Sequence, residues 1–267
     1  MSQSEDIEQL RQELESLKSE NKALRKRLEF DHVTTTVFVP KDFEEIFLQA
    51  EKNVRAYFSD SSKRAENGEI LISGERYVLI RSAALSYEFM DVFKEFYSNY
   101  PLEEAVRIGS NFLFDIAHVL GQKDAKDFHV KMNLTDPIEK LSAGPVHFAF
   151  TGWANVEILP ESNPVPNEEY FIKYIHHNSF EAQSWIKAGR TSDVPVCTMN
   201  CGYSSGWCEE SFGVSLTAVE IACEAQGAEQ CTFIMAPPDR IAEYLEKEGG
   251  NKGFEKHDIP VFFQRKY

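Results

Sequence analysis

Apolar residues recur along this chain in three rhythms. The first runs Ile7, Leu10, Leu14, Leu17, Leu24 and Leu28 in alternating steps of three and four, with Asn21 at the one position left over. This is an a/d heptad seam flanked by Glu, Lys and Arg, and there is no Gly or Pro from Met1 to Val39. An Asn at an a position selects a parallel two-stranded pair at some cost in stability. The spacing therefore predicts a coiled coil over residues 1–30, a rod of ~40 Å that clamps two copies together. A single amphipathic helix lying on its own domain, the bland alternative, would carry a broader apolar stripe.

The second rhythm is helical. Phe43, Ile46, Phe47, Ala50, Val54, Tyr57 and Phe58 share one face of a helix over 41–59. Further helices are predicted over 84–97 and 102–120, the latter closed by Gly121 as C-cap, followed by a short one through Lys131. Asp136-Pro137 opens another with an N-cap and a Pro at its first position, and others cover 179–188, 196–212 and 238–247. The third rhythm marks strands over 69–73, 77–82, 146–150, 154–159, 170–176, 215–224 and 230–234. Helices and strands intermix, so residues 31–248 are expected to form an α/β (α+β mixed) domain, an antiparallel sheet with packed helices and a C-terminal hairpin. Residues 249–267 form a tail. Spacing alone leaves the strand order open.

Charge narrows the partners. The 28 Lys+Arg against 43 Asp+Glu give a net charge of −15, and no basic stripe is present to release phosphate counterions, so direct nucleic-acid binding is not expected. No stretch approaches the ~20 apolar residues that span a bilayer, and the first residues carry neither a basic n-region nor an apolar h-region. A cytoplasmic protein is the expectation.

The five cysteines all fall between Cys197 and Cys231. In Glu220-x-x-Cys223-x7-Cys231, Gly227 lies four residues from each cysteine, so a hairpin turning there sets them opposite one another. Cys197 supplies a third thiolate and Glu220 a carboxylate, a donor set suited to a closed tetrahedral zinc. Glu220 and Cys223 have opposite parity on a flat strand, so a bulge must separate them. Spacing alone leaves two other readings open: buried small hydrophobes, the usual fate of free cysteine, and a disulfide. Cys201 and Cys208 stand outside the set.

The segment Val196-Cys197-Thr198-Met199-Asn200-Cys201-Gly202-Tyr203-Ser204-Ser205-Gly206, with Val219 to Gly227 and Gln230-Cys231, resembles the 4-vinyl reductase domain. More narrowly, it resembles the aromatic-effector sensor domains at the N-terminus of XylR/DmpR-type transcriptional activators, over about residues 71–234. The resemblance implies a structural zinc on Cys197, Glu220, Cys223 and Cys231, a homodimer, and a small hydrophobic or aromatic ligand near the zinc hairpin. The family's ligand-holding His falls at His147, and its Trp position is taken by His176, three residues before Ser179-Phe180-Glu181-Ala182. Alternation places Ile172, Tyr174 and His176 on one face of a strand. His147, His176, Tyr174, Trp153 and Tyr203 are thus the candidate ligand-binding residues. The departure at His176 points to a ligand more polar or anionic than plain phenol.

XylR-type activators continue into an ATPase module, but no G-x-x-x-x-G-K-[ST] occurs here. The expectation is a free-standing sensor that signals through a protein partner. It is not expected to be an enzyme: four protein ligands leave a zinc no open position, and no nucleotide-binding glycine loop is present to supply hydride. The resemblance leaves two alternatives, a lipid-binding adaptor like trafficking-complex subunits and an accessory protein for tetrapyrrole vinyl reduction.

Overall fold

The computed structural model describes residues 36–248; the heptad segment and the C-terminal tail lie outside them. A five-stranded sheet has the order β1-β5-β6-β8-β7, formed by β1 (Val37–Phe38), β5 (Asn155–Ile158), β6 (Ile172–His177), β7 (Thr217–Ala222) and β8 (Cys231–Ala236). Its pairings are antiparallel except at the edge, where β1 runs parallel to β5. A second, three-stranded antiparallel sheet joins β2 (Ser61–Arg64), β3 (Glu69–Ile72) and β4 (Glu75–Tyr77). Of helices α1 (Glu44–Ser59), α2 (Tyr87–Phe96), α3 (Leu102–Lys131), α4 (Pro137–Phe150), α5 (Phe180–Lys187) and α6 (Thr198–Phe212), α4 and α6 lie on the main sheet, α1 packs on α4, and α3 packs on α6, while α7 (Ile241–Lys247) follows β8. The mixed α/β class expected from the sequence is the one observed. No helix among the described residues is long and apolar enough to cross a membrane.

Two predicted breaks are absent, each for a packing reason. Gly121 does not cap a helix; α3 runs through it, 30 residues in all. A Cβ on Gly121 would lie 2.2 Å from the Tyr203 carbonyl, while one on Gly202 or Gly206 would lie 2.3 Å from the Phe114 carbonyl or 2.1 Å from that of His118. The three glycines let the backbones of α3 and α6 touch. The predicted strand 146–150 is instead the last turns of α4, because the helix carries Pro145 in its interior without ending. His147 is therefore a helical residue, not a strand residue. Asp136 does cap α4, its carboxylate accepting from the Ile138 and Glu139 N–H groups at 2.9 and 3.1 Å. Strand β2, Ser-Ser-Lys-Arg, has no apolar alternation and gives no sequence signal.

Alanine normally outranks glycine inside a helix, but here the added methyl meets backbone. Gly206→Ala is expected to cost ~1–3 kcal/mol through overpacking, lowering the melting temperature by roughly 3–10 °C for a domain of this size. An unchanged or higher melting point, read by circular dichroism, would contradict the backbone contact.

Candidate metal centre and ligand cavity

Four candidate metal ligands converge as the sequence spacing suggested. One donor atom from each of Cys197, Glu220, Cys223 and Cys231 lies within 4.8 Å of the others, and all four residues are buried. The β7–β8 pairing slips between Glu220 and Ala222, and this irregularity is the bulge that brings Glu220 and Cys223 to one side. Gly227 turns the hairpin at φ +90°, and Cys197 arrives as the N-cap of α6. The Cys197 and Cys231 sulfurs are 3.7 Å apart. A tetrahedral zinc with ~2.3 Å bonds to sulfur sets its sulfurs ~3.8 Å apart, so the separation fits a shared ion. All five cysteines are free thiols.

Charge supports the same fit. Glu220 Oε2 accepts from the Cys197 N–H at 2.8 Å, while its Oε1 is buried with no hydrogen-bond partner. Burial holds the Glu220 carboxyl and the Cys197 thiol well above their ordinary ranges, whereas hydrogen bonds from the Cys197 and Cys231 thiols pull Cys223 down. Four such acids can all be ionised in a buried space only against a cation.

A cavity of about 40 Å³ lies between the sheet and helices α4 and α6. Tyr174 and His176 face it from β6, Phe148 from α4, and Tyr203, Ser204 and Trp207 from α6, with no Asp, Glu, Lys or Arg in the lining. The Tyr174 hydroxyl and His176 Nδ1 are buried with no hydrogen-bond partner; Ser204 lies beside the Tyr174 hydroxyl without completing a well-formed bond. Burial drives the His176 imidazole down to about 3 and lifts the Tyr174 hydroxyl well above its ordinary value, so both are neutral at pH 7.

The structure divides the five ligand candidates. Tyr174, His176 and Tyr203 line the cavity, whereas His147 and Trp153 stand behind its wall. His147 is wholly buried, with its ring 5.1 Å from those of Trp207 and Phe58. Its Nδ1 is 3.1 Å from the Tyr203 hydroxyl, which donates to Asp124 Oδ2 at 2.8 Å. Trp153 supports the Tyr203 ring from 4.8 Å. Trp207 was missed by the sequence reading, although its place one helical turn after Tyr203 puts it on the same face. Pro145 lies within α4, and one turn of that helix is tied to α6 where the Trp207 indole N–H donates to the Lys140 carbonyl at 2.9 Å.

No family model matches the chain. In sequence it is 26% identical over 191 residues to the phenol regulator MopR of Acinetobacter guillouiae, a span of 71% of this chain and 32% of that protein. The chain thus corresponds to about a third of the curated relative it matches. Its fold is similar to the phenol-responsive sensory domain of the transcription activator PoxR, solved with phenol, at TM-score 0.61 and 17% identity, covering 74% of this chain and 94% of that domain. The resemblance to the sensor family holds. More distant are a trafficking protein particle complex subunit 3 from Naegleria fowleri covalently bound to palmitic acid and a vinyl-4-reductase family protein from Methanocaldococcus jannaschii. Their TM-scores are 0.39 and 0.35, their identities 13% and 18%, and they cover 58% and 73% of this chain and 93% and 94% of their own.

Asp124, behind the cavity, gives a pH test. Burial raises its carboxyl to about 6 despite the Tyr203 hydrogen bond. The folded state thus holds this proton more tightly than the unfolded chain, so Asp124's contribution favours folding at low pH and is lost as pH rises from ~4 to ~6. Asp124→Asn keeps an acceptor for Tyr203 without the buried charge. It should raise stability at pH 8 by at most ~3 kcal/mol, and much less at pH 4. Urea unfolding at both pH values checks this, and a variant weaker than wild type at pH 8 would oppose it.

Proposed function

We propose that the chain is a sensor module that encloses a small neutral aromatic molecule bearing a hydroxyl, holds a structural zinc on Cys197, Glu220, Cys223 and Cys231, and works as a homodimer that signals to a protein partner. The observation that carries the ligand reading is the pair of polar atoms on Tyr174 and His176 that lack a well-formed hydrogen bond in a mostly apolar, uncharged cavity. A neutral imidazole offers a lone pair and a tyrosine a proton, so one hydroxyl satisfies both by donating to one and accepting from the other. An anionic ligand, expected when His176 was read from sequence, fits less well: both groups are neutral and the lining has no cation to offset a buried carboxylate. The phenol named for both MopR and PoxR is consistent with this choice.

Size adds a mechanism. A cavity of ~150 Å³ admits benzene, so a ring entering about 40 Å³ must displace Trp207 or part α4 and α6 from the sheet. That displacement is what a partner reads. No bond in the ligand changes, and a metal with four protein ligands has no open position, so the reading is of binding without turnover.

Calorimetry of the full chain with phenol, benzoate and palmitate tests the ligand reading. Phenol is expected to bind with an affinity constant across pH 6–8, benzoate at least about tenfold more weakly, and Tyr174→Phe to weaken phenol about tenfold, near the ~1.4 kcal/mol of one hydrogen bond. Binding of palmitate alone would favour the lipid-adaptor alternative, and equal affinity for phenol in Tyr174→Phe and His176→Ala would remove the cavity as its site.

The homodimer rests on the heptad seam of residues 1–30 and on an apolar surface that needs cover. Val78, Leu79 and Ile80 after β4, Phe96 of α2, and Phe112 and Ile116 of α3 are exposed, Leu79 and Phe96 by 80%. Exposed apolar surface on this scale marks an interaction site, and the heptads call for a second copy. Native mass spectrometry of the full chain should show two chains with two zinc ions, and Cys223→Ser should lose the zinc. Ile116→Glu combined with Leu14→Glu should give a monomer. A wild-type monomer would defeat the dimer reading, and zinc retained by Cys223→Ser the metal reading.

A further inference from the structure

Ser179 occupies the N-cap of α5, a position where serine ordinarily accepts from the backbone of the following turn, yet its side chain makes no capping bond. Its hydroxyl lies 3.1 Å from the Cys197 sulfur instead. The Asn200 side-chain amide donates to the same Ser179 oxygen at 2.7 Å. Asn200 is itself anchored, because its backbone N–H and that of Met199 donate to the two oxygens of Glu181 at 2.9 and 3.0 Å. Ser179, Glu181 and Asn200 are all fully buried.

Resting on the metal reading above, we infer that Ser179, oriented by Asn200, is a positioning residue that donates its hydroxyl proton to the Cys197 thiolate and thereby sets how tightly the centre holds its ion. The direction follows from proton inventory. A metal-bound Cys197 has no proton to give, so the hydroxyl hydrogen must point to sulfur and the serine oxygen must accept from elsewhere. The Asn200 amide supplies that donor. Reversing the amide would place a carbonyl against the serine and draw its proton off the sulfur, so amide orientation, hydroxyl direction and thiolate state determine one another.

Charge explains the need. Three thiolates and one carboxylate bring about four negative charges to the centre, and a divalent ion offsets about two of them. The remainder is spread over hydrogen-bond donors: the Ser179 hydroxyl at Cys197, the Glu224 N–H at Cys231 (3.4 Å), and the Cys197 N–H at Glu220 (2.8 Å). Of these three only Ser179 is a side chain and can be removed without breaking the backbone.

Zinc affinity of the full chain, by competition with a chromophoric chelator, and the thiolate-to-metal absorption of the cobalt(II)-loaded protein test the assignment. Ser179→Ala is expected to bind zinc about 10–100-fold more weakly at unchanged stoichiometry, with its cobalt band at longer wavelength because the thiolate has lost its donor; Ser179→Thr should restore both. The near-isosteric Asn200→Asp should reproduce the Ser179→Ala behaviour, and it serves as the test if Ser179→Ala does not fold. Wild-type affinity and an unmoved cobalt band in both Ser179→Ala and Asn200→Asp would overturn the assignment while leaving the metal centre intact. A wild-type chain that takes up neither ion would instead overturn the metal reading and this inference with it.

Discussion

Helix α6 lies against α3 at backbone contact, held there because Gly121, Gly202 and Gly206 have no side chain to keep the helices apart. Most of what the domain presents depends on that distance. One end of α6 delivers Cys197 to the Cys/Glu cluster, and its middle turns deliver Tyr203, Ser204 and Trp207 to the cavity. A helix displaced outward by the width of a methyl group would open the cavity and pull a sulfur away from a cluster whose donor atoms now lie within 4.8 Å. Well-packed interiors transmit such shifts because they have few voids to absorb them.

The cavity and the cluster treat charge in opposite ways. In the cavity, burial keeps Tyr174 and His176 neutral, so what the lining offers is hydrogen bonding and shape. In the cluster, acids are crowded until only a cation makes the arrangement economical. The two are joined along β6, where His176 pairs in register with Cys231 of β8. A strand that faces the cavity with Tyr174 and His176 is thus bonded to a strand that begins at Cys231 of the cluster.

Sequence reasoning read the cluster better than the cavity, for physical reasons. Metal ligands have narrow chemical identity, and the hairpin spacing of Cys223 and Cys231 about Gly227 carries geometry directly; even the bulge was implied by the parity of Glu220. Cavity walls are built from the same aromatics that fill cores, so nothing in the sequence singles out Trp207, and His147, expected as a ligand contact, stands behind the wall. Helix limits failed where a punctuating residue serves another purpose. Gly121 suits a C-cap but is there for contact with α6, and Pro145 suits a break but is accommodated within α4. The polar strand β2 exists through its pairing with β3, which no local pattern announces.

All five thiols of the chain, Cys197, Cys201, Cys208, Cys223 and Cys231, are buried in the folded domain and fall within 35 residues of sequence. An alkylating reagent meets none of them until this part of the fold opens. The rate of thiol modification therefore reports local opening of α6 and the β7–β8 hairpin, separately from global unfolding. Cys201 and Cys208 sit outside the Cys/Glu cluster on α6, so they register opening of the helix, while the other three register opening of the cluster. The molecule carries its own probes for the order in which its two sites come apart.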